Sequence, residues 1–363
     1  MLALRGETGV LMPETVTEIP KALFDATVQM QIRTGRYASK TVRDIIGLLN
    51  QADADILRKI SATDAPFTKA RLQALLKEIR TVYKEIYSEA GSELKQQMID
   101  FAGVRADQTA ALIATQLPVN YNIIQATAEQ LKAIVDVAPI RVGTEGALLL
   151  EELFMKEVLN KEHAIMGALR LGQIQGETVD QIVRRLTGTK SHQYKDGILE
   201  ISRRSAEGIV RSVVISTGNK AAMLTYSNNS AVVKGWVYVG TLDSRMCEKC
   251  SKHYGKRFNL GEGPQPILHI RCRCFSVPEI KTWREMGFDI DEMPEGMKAS
   301  SGGLVRADMS YTEWLKTQDK ATQIEILGPS RQKLFASGKV EFNDFTDNKG
   351  IFYTLEELKK KHS

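Results

Sequence analysis

All four cysteines of this 363-residue chain lie in one short stretch. Cys247 and Cys250 form a C-x2-C pair, and a C-x-C pair at Cys272 and Cys274 follows after 21 residues, with His269 three places before Cys272. A tight turn brings the thiolates of a C-x2-C pair together, and a second turn can add the remaining ligands of a tetrahedron. The spacing therefore predicts a zinc site in the stretch 247–274.

The chain offers more donors than a four-coordinate zinc needs. Cys247 and Cys250 are the firmest expected ligands, and two further donors complete the set from His269, Cys272 and Cys274, with His253 as an outside candidate. Four protein ligands leave no place for a reactive water, which is typical of a structural zinc. A redox-active or disulfide-bonded pair and unligated buried thiols stay open as alternatives.

Composition excludes several classes of protein. A hydrophobic share of 43% and a charged share of 26% are those of a soluble globular chain, so we expect neither general disorder nor a membrane protein. The first residues lack the charged start and apolar core of a secretion signal, so the expected compartment is the cytoplasm. A net charge of +5 is too small to mark a dedicated nucleic-acid binder.

Hydrophobic periodicity predicts a mainly helical fold over about residues 19–225, with helices at 64–91, 146–171 and 200–227. Four capping boxes, in which Thr or Ser precedes Gln or Glu by three places, predict helix starts at Thr127, Thr178, Ser310 and Thr354. The β-branched and aromatic run at 232–239 predicts a strand.

These elements predict three parts. Residues 1–175 form a helical assembly domain, and residues 176–280 form a small α+β module stabilised by the zinc site. Residues 281–363 form a loop followed by a short helical tail.

Seven basic residues surround the cysteines: Arg245, Lys249, Lys252, Lys256, Arg257, Arg271 and Arg273. Lys and Arg supply the salt-dependent part of nucleic-acid affinity, so this set is a weak candidate for phosphate contacts. The favoured alternative is that the cations offset the charge of the thiolates and stay solvated, because no aromatic interleaving or base-reading motif accompanies them.

Further residues around the cysteines complete a recognisable signature. They are Trp236, the run Thr241-Leu242-Asp243-Ser244-Arg245, Gly255, Pro266, Arg273 and Pro278. Together with the cysteine and histidine spacing, they resemble the phage head morphogenesis family, the minor head proteins similar to Mu protein F.

The resemblance extends to both sides of this stretch and covers about residues 178–360. Upstream, Arg211-Ser212-Val213 and Asn219-Lys220-Ala221 resemble a family pattern of Arg-Thr-Glu followed by small residues and Asn, although the Glu is lost. Downstream, the tail reproduces a recurrent family pattern at Tyr311, Trp314, Gln318, Gln323, Gly328, Pro329, Arg331, Gly338, Thr354 and Glu357.

The resemblance implies a minor head (capsid) protein of a tailed phage or prophage, acting in procapsid assembly and head morphogenesis. Its implied partners are the portal protein, the major capsid or scaffold protein and, without sequence specificity, packaged DNA. Its implied place is inside the capsid of the virion, after assembly in the bacterial host cytoplasm, with no membrane in the free state.

Three rival functions are weaker. A zinc-stapled nuclease needs a general-base histidine beside a metal-binding residue on a following helix, and the stretch after Cys274 supplies neither. The tail is too short for an added toxin or ADP-ribosyltransferase domain. A regulatory DNA-binding protein needs a recognition helix, and none can be identified. We therefore expect no enzymatic activity.

Overall fold

The computed structural model describes residues 20–62, 68–117, 121–141, 146–282, 284–287, 297–300, 303–306, 309–338, 340–345 and 353–361. Two long helices open the fold, α1 (Lys21–Ser61) and α2 (Lys69–Ala114). Thr68 caps α2 by accepting a hydrogen bond from the backbone N–H of Arg71 at 3.2 Å. The helix start predicted at residue 64 lies outside the described residues.

The predicted end of this helix at Gly91 is wrong, because α2 continues to Ala114. Gly91 faces α4, where an added Cβ would lie 3.7 Å from the ring of Phe154. Packing against a neighbouring helix outweighs the low helix propensity of a single glycine.

The next elements along the chain are shorter than α1 and α2. They are α3 (Ala128–Asp136), the antiparallel strands β1 (Ile140–Arg141) and β2 (Ala147–Leu148), α4 (Leu150–Gln175) and α5 (Val179–Thr187). The capping boxes predicted at Thr127 and Thr178 are both formed, each with hydrogen bonds in both directions. A 3-10 turn at Lys190–His192 then leads to the longest helix of the second half.

That helix, α6 (Ile198–Asn228), packs against α1, α2 and α4 and is buried over most of its length. Close packing depends on small residues: a Cβ added to Gly218 would lie 3.2 Å from the ring of Phe101. One face of α6 also contacts the sheet that follows, so α6 connects the helical part to the cysteine module.

The predicted strand at 232–239 is confirmed as β3 (Val233–Val239), the centre of a three-stranded antiparallel sheet. Its neighbours are β4 (Arg257–Asn259) and β5 (Phe275–Ile280), and between β3 and β4 lies the short helix α7 (Glu248–Ser251). Trp236 pairs with Phe258 on one side and Pro278 on the other. Since Trp236 is fully buried, it anchors the sheet against the core.

The tail contains more structure than the sequence predicts. It comprises the antiparallel pair β6 (Met297–Ser300) and β7 (Gly303–Arg306), the helices α8 (Tyr311–Thr317), α9 (Lys320–Leu327), α10 (Pro329–Ala336) and α11 (Leu355–Lys361), and a 3-10 turn at Phe342–Phe345. The predicted starts at Ser310 and Thr354 are confirmed. The unpredicted α9 begins where Asp319 accepts from the N–H of Thr322 at 2.7 Å.

The fold is mainly helical with small sheets, as predicted. One cluster of buried apolar side chains extends from α1 to the tail. The three-part division at 175/176 and 280/281 stays a prediction. Within the described ranges, no helix is both long and apolar enough to cross a bilayer.

Candidate metal centre

Two tight turns bring the cysteines and one histidine together, as the spacing predicts. Cys247 is the residue before α7, and its carbonyl accepts from the N–H of Cys250 at 3.1 Å. In the second turn, the carbonyl of His269 accepts from the N–H of Cys272 at 3.2 Å. Each turn therefore places two donor side chains on the same side of the backbone.

The donor atoms converge on one point. Nε2 of His269 lies 3.1 Å from Sγ of Cys247 and 3.3 Å from Sγ of Cys250, while Sγ of Cys250 lies 3.5 Å from Sγ of Cys272. Two overlapping groups could hold a metal ion, Cys247 with Cys250 and His269, and Cys250 with Cys272 and Cys274. All four cysteines are free thiols.

The space between these donors suits a single ion. They line a cavity of about 20 Å³, and a cavity holding one water-sized sphere needs roughly 10–15 Å³. Cys250, Cys272 and Cys274 are buried, whereas Cys247 is half-buried. Nitrogen and sulfur donors around such a small cavity fit the preferences of zinc.

The imidazole of His269 is oriented for ligation. Its Nδ1 atom lies 2.8 Å from the carbonyl oxygen of Ile270. Because a carbonyl can only accept, Nδ1 carries the proton of the neutral ring and leaves Nε2 directed at the thiols. Metal-binding histidines are commonly fixed in this way by a backbone carbonyl.

The thiols and the imidazole are strongly coupled in the metal-free cluster. Hydrogen bonds, first from Cys250 and then from His269, lower the pKa of Cys247 to about 4, and the pKa of Cys272 is lowered as well. The pKa values of Cys250 and Cys274 are raised instead, and hydrogen bonds to Cys247 and Cys272 raise the pKa of His269 to about 10. The protons held by these groups would have to leave before the imidazole and the thiols could ligate a cation, so metal binding would release protons.

His253, the outside candidate, belongs to neither group of donor atoms. Its ring centroid lies 5.7 Å from that of Tyr238 and 6.4 Å from that of Phe258. Burial, followed by repulsion from Lys256 and Lys252, lowers its pKa. His253 therefore packs beside aromatic residues of the sheet and does not join the donor atoms.

Two residues of α6 fix the second turn, and sequence reasoning assigned neither of them to the site. Ser212 Oγ accepts from the backbone N–H of Arg271 at 2.7 Å. The amide of Asn219 donates to the carbonyl of Cys274 at 3.1 Å and accepts from the N–H of Ser276 at 3.2 Å. Both lie in the stretches of α6 that resemble the family pattern, and this resemblance is the sequence signal that could have identified them.

Asp243 links the first turn to the second. Its carboxylate accepts from the N–H of Arg245 at 3.1 Å and from both terminal nitrogens of Arg273 at 2.8 and 2.6 Å. Burial acts to raise the pKa of Asp243, but the hydrogen bonds from Arg273 and Arg245 outweigh it and leave the pKa below its ordinary value.

The structure gives several of the seven basic candidates internal partners. Arg245 and Arg273 contact Asp243, Arg257 contacts Glu279 at 2.5 Å, and Arg271 donates to the carbonyl of Arg204 at 2.6 Å. These contacts agree with the favoured alternative for those residues, in which the cations serve the module itself. The remaining candidates are Lys249, Lys252 and Lys256.

The fold and this cluster define a helical protein with a small sheet module built around a Cys/His site. Residues 163–277 match the family model described as phage Mu protein F like protein, which supports the family resemblance that the motifs indicate. The match extends from within α4 through α6 to β5 and includes every donor of the cluster. A domain of this family indicates a phage head morphogenesis protein. Searches of curated proteins and of solved structures gave no match.

Proposed function

We propose that the chain is a minor head protein of a tailed phage or prophage, acting without catalysis in procapsid assembly. The observation that carries the proposal is the match over 163–277, whose donor residues converge in one small cavity. Its place is the inside of the capsid, after assembly in the host cytoplasm, and the portal is its first partner.

The cofactor in this proposal is one structural zinc ion. Its ligands are Cys247, Cys250, His269 and Cys272, because the histidine nitrogen lies against the first two thiols and Cys272 lies against Cys250. Cys274 is the spare thiol, since it is grouped with Cys250 and Cys272 alone. Ligation by four side chains would join the two turns, so metal binding would contribute directly to the free energy of folding.

Exposed apolar side chains on α4 support a protein partner. Met155, Leu159, Leu171 and Ile174 are all exposed, with Ile174 at 80%. Apolar side chains exposed along a helix suit contact with a helix or groove on another protein. We assign these side chains to contact with the portal, or with the major capsid or scaffold protein.

The proposal is tested by co-expressing the tagged chain with the portal protein encoded beside it and measuring co-purification. We expect the portal to bind, and a Leu159→Lys/Leu171→Lys variant to lose at least tenfold in recovered portal. Ile32→Lys on α1, which changes another exposed apolar residue, serves as the control. Absence of portal from the wild-type sample, together with cleavage or sequence-selective binding of DNA, would reject the assembly role.

A further inference from the structure

The hydroxyl group of Tyr238 reaches the cysteine cluster from β3, the central strand of the sheet. Tyr238 is 0% exposed, and its hydroxyl donates a hydrogen bond to Sγ of Cys250 at 3.5 Å. Sulfur accepts hydrogen bonds at greater lengths than oxygen because its atom is larger. Cys250 belongs to both of the donor groups that could hold a metal ion. The phenol therefore contacts the sulfur that the two groups share.

The position of this hydroxyl is fixed by the sheet. The N–H of Tyr238 donates to the carbonyl of Lys256 at 3.0 Å, and the carbonyl of Tyr238 accepts from the N–H of Gly255 at 2.8 Å. On its other side, Tyr238 is paired with Ser276 of β5. The centroid of its ring lies 6.3 Å from that of Trp236. A side chain carried by a regular strand is held in place more precisely than one on a loop.

Burial increases the importance of this hydrogen bond. Cys250 is 1% exposed, so its sulfur receives little stabilisation from water. Burial of a hydroxyl without a partner is also unfavourable. A phenylalanine would fill the same space without that cost, whereas the hydroxyl of Tyr238 is compensated by its bond to sulfur.

The proposed ligands also leave a negative charge to be stabilised. Three thiolates and one neutral imidazole carry more negative charge than Zn²⁺ can neutralise. Arg245 and Arg273, which lie close to the cysteines in the sequence, form ion pairs with Asp243. A hydroxyl that donates to a thiolate offsets part of the excess charge, because hydrogen bonds to ionised acceptors are stronger than those to neutral ones.

We propose that Tyr238 is a positioning residue of the metal centre, which raises the affinity for zinc by donating to the thiolate of Cys250. The inference rests on the zinc site of the proposed function. Residues that form hydrogen bonds with metal ligands typically change the affinity for the metal by roughly 10- to 100-fold when they are replaced.

The test measures the zinc affinity of the full-length chain by competition with a chromogenic chelator at neutral pH. Tyr238→Phe keeps the ring and removes the hydroxyl, so it should bind zinc roughly 10- to 100-fold more weakly than the wild type. The matched control is Tyr226→Phe on α6. Tyr226 is buried as well, but its hydroxyl donates to the backbone carbonyl of Ser276 at 3.2 Å. The control should therefore keep the wild-type affinity.

Cobalt(II) in place of zinc separates a bond to the metal ligand from a general effect on folding. The sulfur-to-cobalt charge-transfer band moves to lower energy when a thiolate loses a hydrogen bond, because the sulfur electrons are then held less tightly. We expect this shift in Tyr238→Phe and not in Tyr226→Phe.

Three outcomes would overturn the inference. Wild-type affinity and an unshifted band in Tyr238→Phe would overturn it and leave the zinc site intact. Equal losses of affinity in both tyrosine variants, with unshifted bands, would show that only the stability of the fold is affected. A wild-type chain that binds no zinc would overturn the zinc site itself, and this inference with it.

Discussion

Lys161 of α4 is only 2% exposed, and its ammonium group connects three helices. Nζ lies 2.6 Å from Oδ1 of Asp53 on α1, and the hydroxyl of Tyr83 on α2 donates to the same carboxylate at 3.0 Å. The ammonium also lies 5.3 Å from the centroid of the Tyr83 ring. Such a buried pair is sensitive to the loss of one partner, because the other charge is then left uncompensated.

We expect Lys161→Met to lower the free energy of unfolding by about 3–5 kcal/mol. The double variant Asp53→Asn/Lys161→Met should be less destabilised than the sum of the single variants, because no unpaired charge remains. Urea unfolding of all four proteins measures the coupling. Strictly additive effects would show that the two groups do not interact.

Burial of Lys220 should make the stability of the protein depend on pH. It donates to the carbonyls of Ala138 and Pro139 at 2.7 and 2.9 Å, and burial lowers its pKa to about 8. The unfolded chain therefore binds this proton more tightly, and the free energy of unfolding rises with pH from about 8 to about 10.4.

Lys220→Met should remove this contribution. Relative to the variant, the wild type should gain roughly 2 kcal/mol between pH 7 and pH 10.5, since each pKa unit corresponds to about 1.4 kcal/mol and part of the side chain stays in solvent. Urea unfolding at several pH values measures the difference. A difference that stays constant across this range would contradict the lowered pKa.

At the scale of elements, the pairing of β3 with β4 depends on Gly235. A Cβ at this position would lie 2.5 Å from the carbonyl oxygen of Phe258. We expect Gly235→Ala to destabilise the protein by about 1–3 kcal/mol, because the backbone of β4 must move away. Thermal unfolding measures the change.

Gly35→Ala on α1 is the control, because an added Cβ there meets nothing within 4 Å. This control should stabilise the protein by about 0.5–1 kcal/mol, the difference in helix propensity. Equal effects of the two substitutions would contradict the close approach at Gly235.

Short sequence motifs predicted the helix starts, because each start is determined by residues that are neighbours in the sequence. The capping boxes at Thr127, Thr178, Ser310 and Thr354 are confirmed because each needs only four consecutive residues. The length of α2 depends instead on α4 packing beside Gly91, and periodicity within one segment carries no information about that contact.

At the scale of the whole molecule, the candidate site likewise combines features that short motifs predict with features that only the fold produces. The donors could be predicted because they stand close together in the sequence. Their supports could not, because Ser212 bonds to a residue 59 positions away and Asn219 to one 55 positions away. Only the fold, through the packing of α6 against β5, brings these residues to the cluster.

The central claim is that one zinc ion joins the two turns of the module, and native mass spectrometry of the purified full-length chain tests it most directly. We predict a mass increase of one zinc per chain in the wild type and in Cys274→Ser, and none in Cys247→Ser/Cys250→Ser, which should also melt at a lower temperature. A wild-type chain that carries no metal, and a double variant that melts at the wild-type temperature, would contradict the account.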